Sequence, residues 1–276
     1  MLLLKGFIIG IGKIIPGVSG SMLAISMGIY QQMIDSVINF FNDIKNNLKF
    51  LLKIGVGVLI AIMFFSNIIL KCLDKYYIIT MFFFIGLIVG SFNDIKKEIK
   101  TKNVKAILIT IIITLLIGII NINNEININN AFLNFIYFVF VGLVDAFTMV
   151  VPGISGTATL MMIGAYDKLM NVFSNILNIQ YIIDNFLIIL PYCVGMSVGL
   201  LLTIKLINYL FKNYKNITYN IIVGFSISTI VIMFMKCLNT NYNFINLIIA
   251  FLMLIVGMYL SKKINHCISN DWLNKD

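Results

Sequence analysis

Two six-residue stretches carry the residue types best able to do chemistry: PGVSGS at 16–21 and PGISGT at 152–157. Pro16 and Pro152 cannot donate a backbone hydrogen bond and disfavour helix in the residue before them. Gly17, Gly20, Gly153 and Gly156 allow a tight turn and close backbone approach. Ser19, Ser21, Ser155 and Thr157 bring hydroxyls and are expected to cap helices that restart after each break. Each restart turns free N–H groups and a positive dipole end toward the protein centre, an arrangement suited to a phosphate-sized anion. Lys13, three residues before Pro16, would add a full positive charge. Asp145, seven residues before Pro152, suits a proton or substrate group and equally a hydrogen-bonded structural carboxylate. Pro-Gly kinks and Ser/Gly packing faces use the same residue types. It is the duplication that argues for a site.

Other chemistry is sparse. Cys72, Cys193, Cys237 and Cys267 form no CxxC pair, and His266 is the only His. No metal site, cofactor or disulfide framework is expected. The chain has 20 Lys and no Arg, with Glu only at 98 and 125, both between apolar runs. Phosphate-ester cleavage, which leans on Glu, Arg and a base, is poorly served.

The elements that must position these motifs are membrane helices. Of 276 residues, 60% are hydrophobic and 11% charged, against about 25% charged in soluble domains. With a mean hydropathy of +1.00, a soluble enzyme is excluded. The net charge of +9 then reads as cytoplasmic loop bias rather than a nucleic-acid partner. Uninterrupted apolar runs at 51–70, 77–92, 106–120, 186–211, 217–236 and 243–261 are expected to span. Asn/Lys-rich stretches at 42–50, 96–105, 121–130 and 212–216 are expected as loops. The N-terminus shows no small-residue cleavage site, so no cleaved signal peptide is expected.

Residues 1–41 and 131–177 are apolar but broken by Pro-Gly, and they match each other at an offset of 136. Gly6 meets Gly142, Gly28 meets Gly164, Tyr30 meets Tyr166 and Asn39 meets Asn175; two of the three Pro fall at the repeated place. The expected fold is an all-α integral membrane protein of two inverted-topology repeats, 1–125 and 131–276. Each would be a re-entrant, Pro-Gly-broken hairpin followed by three transmembrane helices. If both hairpins return to their side of entry, 15 Lys share a side with the termini, Lys71, Lys75, Lys168 and Lys236 take the other, and Lys205 lies within a span. That split favours cytoplasmic termini. Tyr30, Asp35, Tyr166 and Asp167 then fall near the membrane surface, where Tyr reads by default as interface belt.

The motifs resemble those of the bacterial polyprenyl-phosphate translocases. The similar stretches are GFIIGIGKIIPGVSGSMLAISMGIY at 6–30, MVVPGISGTATLMMIGAY at 149–166, FFFIGLIVGS at 82–91 and, more weakly, IIVGFSIS at 221–228. The resemblance implies return of undecaprenyl phosphate across the plasma membrane, with the lipid as partner and no enzymatic step. It departs from the family pattern at Lys13, where Asp or Asn is usual, at Gln31 for Glu, and at Gly20-Ser21 for Gly-Gly-Thr. Lys13 favours phosphate binding, whereas the lost acidic positions bear on proton coupling; Asp145 and Asp167, with Tyr30 and Tyr166, are the remaining candidates for coupling or support. The residues leave open an integral-membrane polyprenyl-diphosphate phosphatase-like enzyme, an uncoupled scramblase and an anion channel.

Overall fold

The computed structural model describes residues 1–16, 18–97, 99–120, 130–151, 154–238, 240 and 243–273, and it contains no strand among them. Gly17, Pro152, Gly153 and the expected loop 121–129 lie outside the described residues. Eleven helices follow in order among those described: α1 Leu2–Ile14, α2 Gly20–Ser26, α3 Tyr30–Ile38, α4 Ile44–Lys97, α5 Val104–Ile120, α6 Ala131–Val150, α7 Gly156–Met162, α8 Tyr166–Ser174, α9 Ile179–Asp184, α10 Phe186–Leu238 and α11 Phe244–Leu273.

Four of them are long and apolar enough to cross a membrane: residues Ile44–Phe92, Ala131–Val150, Phe186–Leu238 and Phe244–Lys263. Exposed Leu59, Phe64, Ile112, Leu116, Val198, Leu252 and Ile255 would be costly in water, and lipid is the solvent that suits them.

The longest helices are each two limbs. A straight helix over Ile44–Phe92, 49 residues, would measure roughly 74 Å at 1.5 Å per residue. A hydrocarbon core is only about 30 Å thick. At Tyr76 the backbone leaves helical geometry (φ −133°, ψ 48°). Thr80 Oγ1 donates to the carbonyl of Cys72 at 3.1 Å. Eight residues of straight helix would hold those groups about 12 Å apart, so the chain folds back there. α10 breaks likewise at Tyr214 (φ −135°, ψ 33°), where the rings of Phe211 and Tyr219 meet at 5.3 Å. Residues 212–216, expected as a loop, therefore remain helical apart from that one residue. Residues 44–50, also expected as loop, form the first turns of α4: no Pro or Gly interrupts them, and Phe50 is buried.

Local structure recurs at the expected offset. α2 and α7 are both seven residues long, and α3 and α8 both nine. Gly28 (φ 66°) and Gly164 (φ 75°) are the only described residues with positive φ. That left-handed conformation suits Gly, and here it joins each short helix to the next.

Small residues let the long helices touch. A Cβ built on Gly6 would lie 2.2 Å from the Ile54 carbonyl oxygen, and one on Gly142 2.3 Å from that of Tyr192. Such pairs hold α1 on the first limb of α4 and α6 on the first limb of α10. α5 and α11 pack differently. Gly86 and Gly257 mesh the second limb of α4 with α11, and Gly224 meshes the second limb of α10 with α5. The rings of Phe82 and Phe251 close the first contact at 5.3 Å, and Thr114 Oγ1 donates to Ser228 Oγ at 2.5 Å across the second.

Candidate functional site

The two breaks in the helices lie against each other. After Ile14 the chain leaves helical geometry at Ile15 (φ −81°, ψ 113°), and after Val150 it does so at Val151 (φ −75°, ψ 117°). Breaking a helix exposes its last carbonyls, and the opposite segment supplies donors for one of these ends. Ser21 Oγ donates to the Val151 carbonyl at 3.1 Å, and the Tyr30 hydroxyl donates to that of Val150 at 2.7 Å.

Two of the four hydroxyl residues expected as caps occupy that position. Ser19 and Ser155 are the N-cap residues of α2 and α7, and Ser155 Oγ accepts from Ala158 N at 3.4 Å. Ser21 and Thr157 instead sit in the first turn. Their hydroxyls face those of the caps, at 2.8 Å for Ser19–Ser21 and 3.3 Å for Ser155–Thr157. The far ends of the short helices are satisfied too. Lys5 Nζ donates to the Met27 carbonyl at 2.7 Å, Lys236 Nζ to Met161 at 2.6 Å and the Tyr137 hydroxyl to Ile163 at 3.0 Å. Cationic and hydroxyl donors suit the negative end of a helix.

At the centre is an ion pair. Lys13, in the last turn of α1, reaches across the two breaks to Asp145 of α6. Asp145 is fully buried and the Lys13 side chain is 11% exposed. The second carboxylate oxygen of Asp145 accepts from the Tyr192 hydroxyl of α10 at 2.5 Å. Thr148 Oγ1 donates to the Asp145 backbone carbonyl at 2.8 Å. The charge that Lys13 was expected to offer an anion is thus already compensated. At the offset of 136, Lys13 matches Met149 and Asp145 matches Ile9, so the pair has no counterpart at the other break.

Gly156 backs directly onto this cluster. A Cβ there would lie 2.8 Å from Thr148 Oγ1, 3.0 Å from Asp145 Oδ1 and 3.3 Å from Lys13 Nζ, whereas one on Gly20 would meet nothing closer than Ile9 at 3.5 Å. We therefore expect Gly20→Ala to leave thermal stability in detergent nearly unchanged. Gly156→Ala should lower it by about 1–3 kcal/mol, the cost of overpacking. Equal effects would mean the second tip is as roomy as the first.

The remaining candidates separate by burial. Asp167 is exposed in the first turn of α8. Tyr166, read from sequence as interface belt, is 2% exposed, and its hydroxyl has no hydrogen-bond partner. Its match, Tyr30, has one. Opposite signs follow on removing each hydroxyl. Tyr30→Phe should cost about 1–3 kcal/mol by orphaning the Val150 carbonyl, and Tyr166→Phe should be neutral or stabilising. Thermal unfolding of both variants in one detergent decides this. Tyr192 went unnoticed in the sequence; the available signal was a Tyr within the apolar run 186–211 rather than at its ends.

Apolar surface all round, and an ion pair sealed inside against broken helices, define a multi-pass helical membrane protein. The chain belongs to the undecaprenyl phosphate translocase-like family, whose model matches residues 9–248. It is 28% identical over 274 residues to a polyprenyl-phosphate transporter of Staphylococcus aureus, covering 94% of this chain and 95% of the relative. A polyprenyl-phosphate transporter of Vibrio cholerae is 24% identical over 241 residues, 82% of this chain and 75% of that one. No solved structure matches the chain at a significant level.

Proposed function

We propose that the protein is a transporter, not an enzyme, that carries undecaprenyl phosphate or a similar polyprenyl phosphate across the plasma membrane. The two halves, 1–125 and 131–276, act as inverted repeats whose re-entrant tips meet at mid-membrane, with both termini cytoplasmic. The phosphate is held where the breaks converge, by Lys13 and by the groups of Pro16–Ser21 and Pro152–Thr157. The buried Lys13–Asp145 pair beside the second tip carries this reading, together with the polyprenyl-phosphate transporters among the relatives.

α2 and α7, at seven residues each, are too short to contribute much dipole, so Lys13 is the principal attraction for an anion. It becomes available only if Asp145 lets go. A buried carboxylate left unpaired is costly, and taking up a proton removes that cost. As the phosphate oxygen takes the place of Asp145 at Lys13 Nζ, Asp145 gains one proton from the side of entry and becomes neutral. Tyr192 holds its other oxygen throughout. Release reverses both steps. For a phosphate monoanion the exchange moves no net charge; a dianion would also respond to membrane potential.

The test is transbilayer movement of labelled polyprenyl phosphate in liposomes containing the purified protein, with and without an imposed pH gradient. Movement accelerated by the gradient is the expected result. Equal rates in both conditions would replace the coupled carrier with a scramblase. Release of inorganic phosphate would restore the phosphatase-like reading. No movement by folded protein would overturn the substrate.

A further inference from the structure

A cavity of about 200 Å³ lies beside the first tip. Ser21 and Tyr30 are among its few polar residues, and the remainder are chiefly aliphatic, including Ile9, Ala24, Ile34 and Ile204. Gly55 and Leu200 also line it, and Leu52, Val56 and Leu201, within a turn of them on the same helices, are exposed. The cavity therefore sits between the Ser21 hydroxyl and the lipid-facing surface of α4 and α10. Nothing lies within 4 Å of a Cβ built on Gly55.

The second tip has a counterpart in which Thr157 matches Ser21, Leu160 matches Ala24, Tyr166 matches Tyr30 and Phe173 matches Val37. Only about 10 Å³ remains there. Larger side chains account for the difference, Leu160 standing where the first cavity has Ala24 and Phe173 where it has Val37. Of these two matched cavities one is open and the other filled, and the asymmetry is written into the sequence.

Resting on the transporter reading above, we infer that the cavity beside Ser21 is the chain site: it holds the isoprene units next to the phosphate while the rest of the chain stays in lipid. At about 200 Å³ it is smaller than the roughly 300–1,000 Å³ of a pocket enclosing a whole drug-sized ligand. It takes a slice of a chain. Its lining offers no charge to a headgroup and no row of donors to water. Its polar residue Ser21 belongs to the tip where the phosphate is read to sit, so headgroup and chain sites are continuous. The branched methyls of an isoprenoid need more width than a straight acyl chain, and the missing side chain at Gly55 together with the small one at Ala24 provides it.

Two variants fill the cavity without disturbing the ion pair. Gly55→Trp projects into open space, and Ala24→Leu installs the residue that the second cavity already has. Leu52→Trp, on the exposed face, is the control. Two probes are compared in liposomes of the purified protein: geranylgeranyl phosphate with a diazirine near its phosphate end, and a straight-chain alkyl phosphate bearing the same group. Photolabelling of α3 or the first limb of α4 by the isoprenoid probe is expected, with about tenfold less in both filled variants and no change in the control. Polyprenyl-phosphate movement should fall in step, with melting temperature retained. Undiminished labelling and movement in both filled variants would overturn the chain site while leaving the transporter reading intact. Equal labelling by the straight-chain probe would overturn its preference for isoprenoids. Wild-type protein that is labelled in this cavity yet moves no lipid would overturn the transporter reading and keep the site.

Discussion

Asp145→Ala is expected to destabilise the protein by about 3–5 kcal/mol, the usual cost of stripping one partner from a buried ion pair. The triple variant Lys13→Met/Asp145→Leu/Tyr192→Phe should fold about as well as the native chain. The reasoning turns on what is left behind. With Asp145 fully buried and Lys13 mostly so, removing the carboxylate leaves an ammonium group with no counter-charge and a Tyr192 hydroxyl with no acceptor. Replacing all three by apolar groups of similar size removes every uncompensated polar atom at once, a substitution that is often neutral or favourable. If the cluster existed only to hold α1, α6 and α10 together, the triple variant would also work. We expect it to move no polyprenyl phosphate. Denaturation midpoints and liposome transport on the same preparations separate the two roles. A transporting triple variant would remove the pair from the mechanism.

The second large effect belongs to Asp145→Asn. Asn keeps the size of Asp and an oxygen for Tyr192, but it can neither balance the charge on Lys13 nor take up a proton. A phosphate arriving at Lys13 would then meet no competitor, so binding should strengthen and release should suffer. Truncating one member of a buried charge pair is typically worth about 2–5 kcal/mol, which sets the expected fall in transport at about thirtyfold or more. The residual rate should be indifferent to an imposed pH gradient. Equilibrium binding of short-chain polyprenyl phosphate alongside gradient-driven uptake checks both halves. Continued acceleration by the gradient would clear Asp145 of carrying the proton and turn attention to the exposed Asp167.

Much of the architecture was legible because membranes impose simple rules. Apolar runs foretold helices at both limbs of α4 and of α10 and at α5 and α11, although α5 is shorter than the four helices long enough to cross, and the repeated Pro-Gly located both breaks. The misreadings have physical causes. Asn and Lys at 44–50 and 212–216 signal water at a membrane surface, but the helices run through these residues, so polarity alone did not mark their ends. Tyr166 reads as an interface residue because Tyr in general is; its burial involves chain distant in sequence, such as Ile14 and Ile62, which line the same small cavity and which spacing does not reveal. The Lys13–Asp145 contact joins residues 132 positions apart. Its trace in the sequence was indirect: each charge stands opposite an apolar residue, Met149 or Ile9, in the other copy. Such mismatched positions are informative, since a duplicated chain keeps what both copies need and departs where one copy does something alone.

The packing of α11 on the second limb of α4, and of α5 on the second limb of α10, sets an order of assembly. The glycine face of α4 around Gly86 and Gly90 meets α11, which is synthesised after α10. At about 5–20 residues per second, that face waits on the order of ten seconds after α4 emerges before its partner exists. Until then it has lipid, an insertion factor or a neighbouring chain for company. The first half, expressed alone, would carry this groove permanently bare and would have nothing to cover α5. Two separately expressed halves should therefore be degraded singly and recovered together, much as the subunits of an obligate heterodimer are.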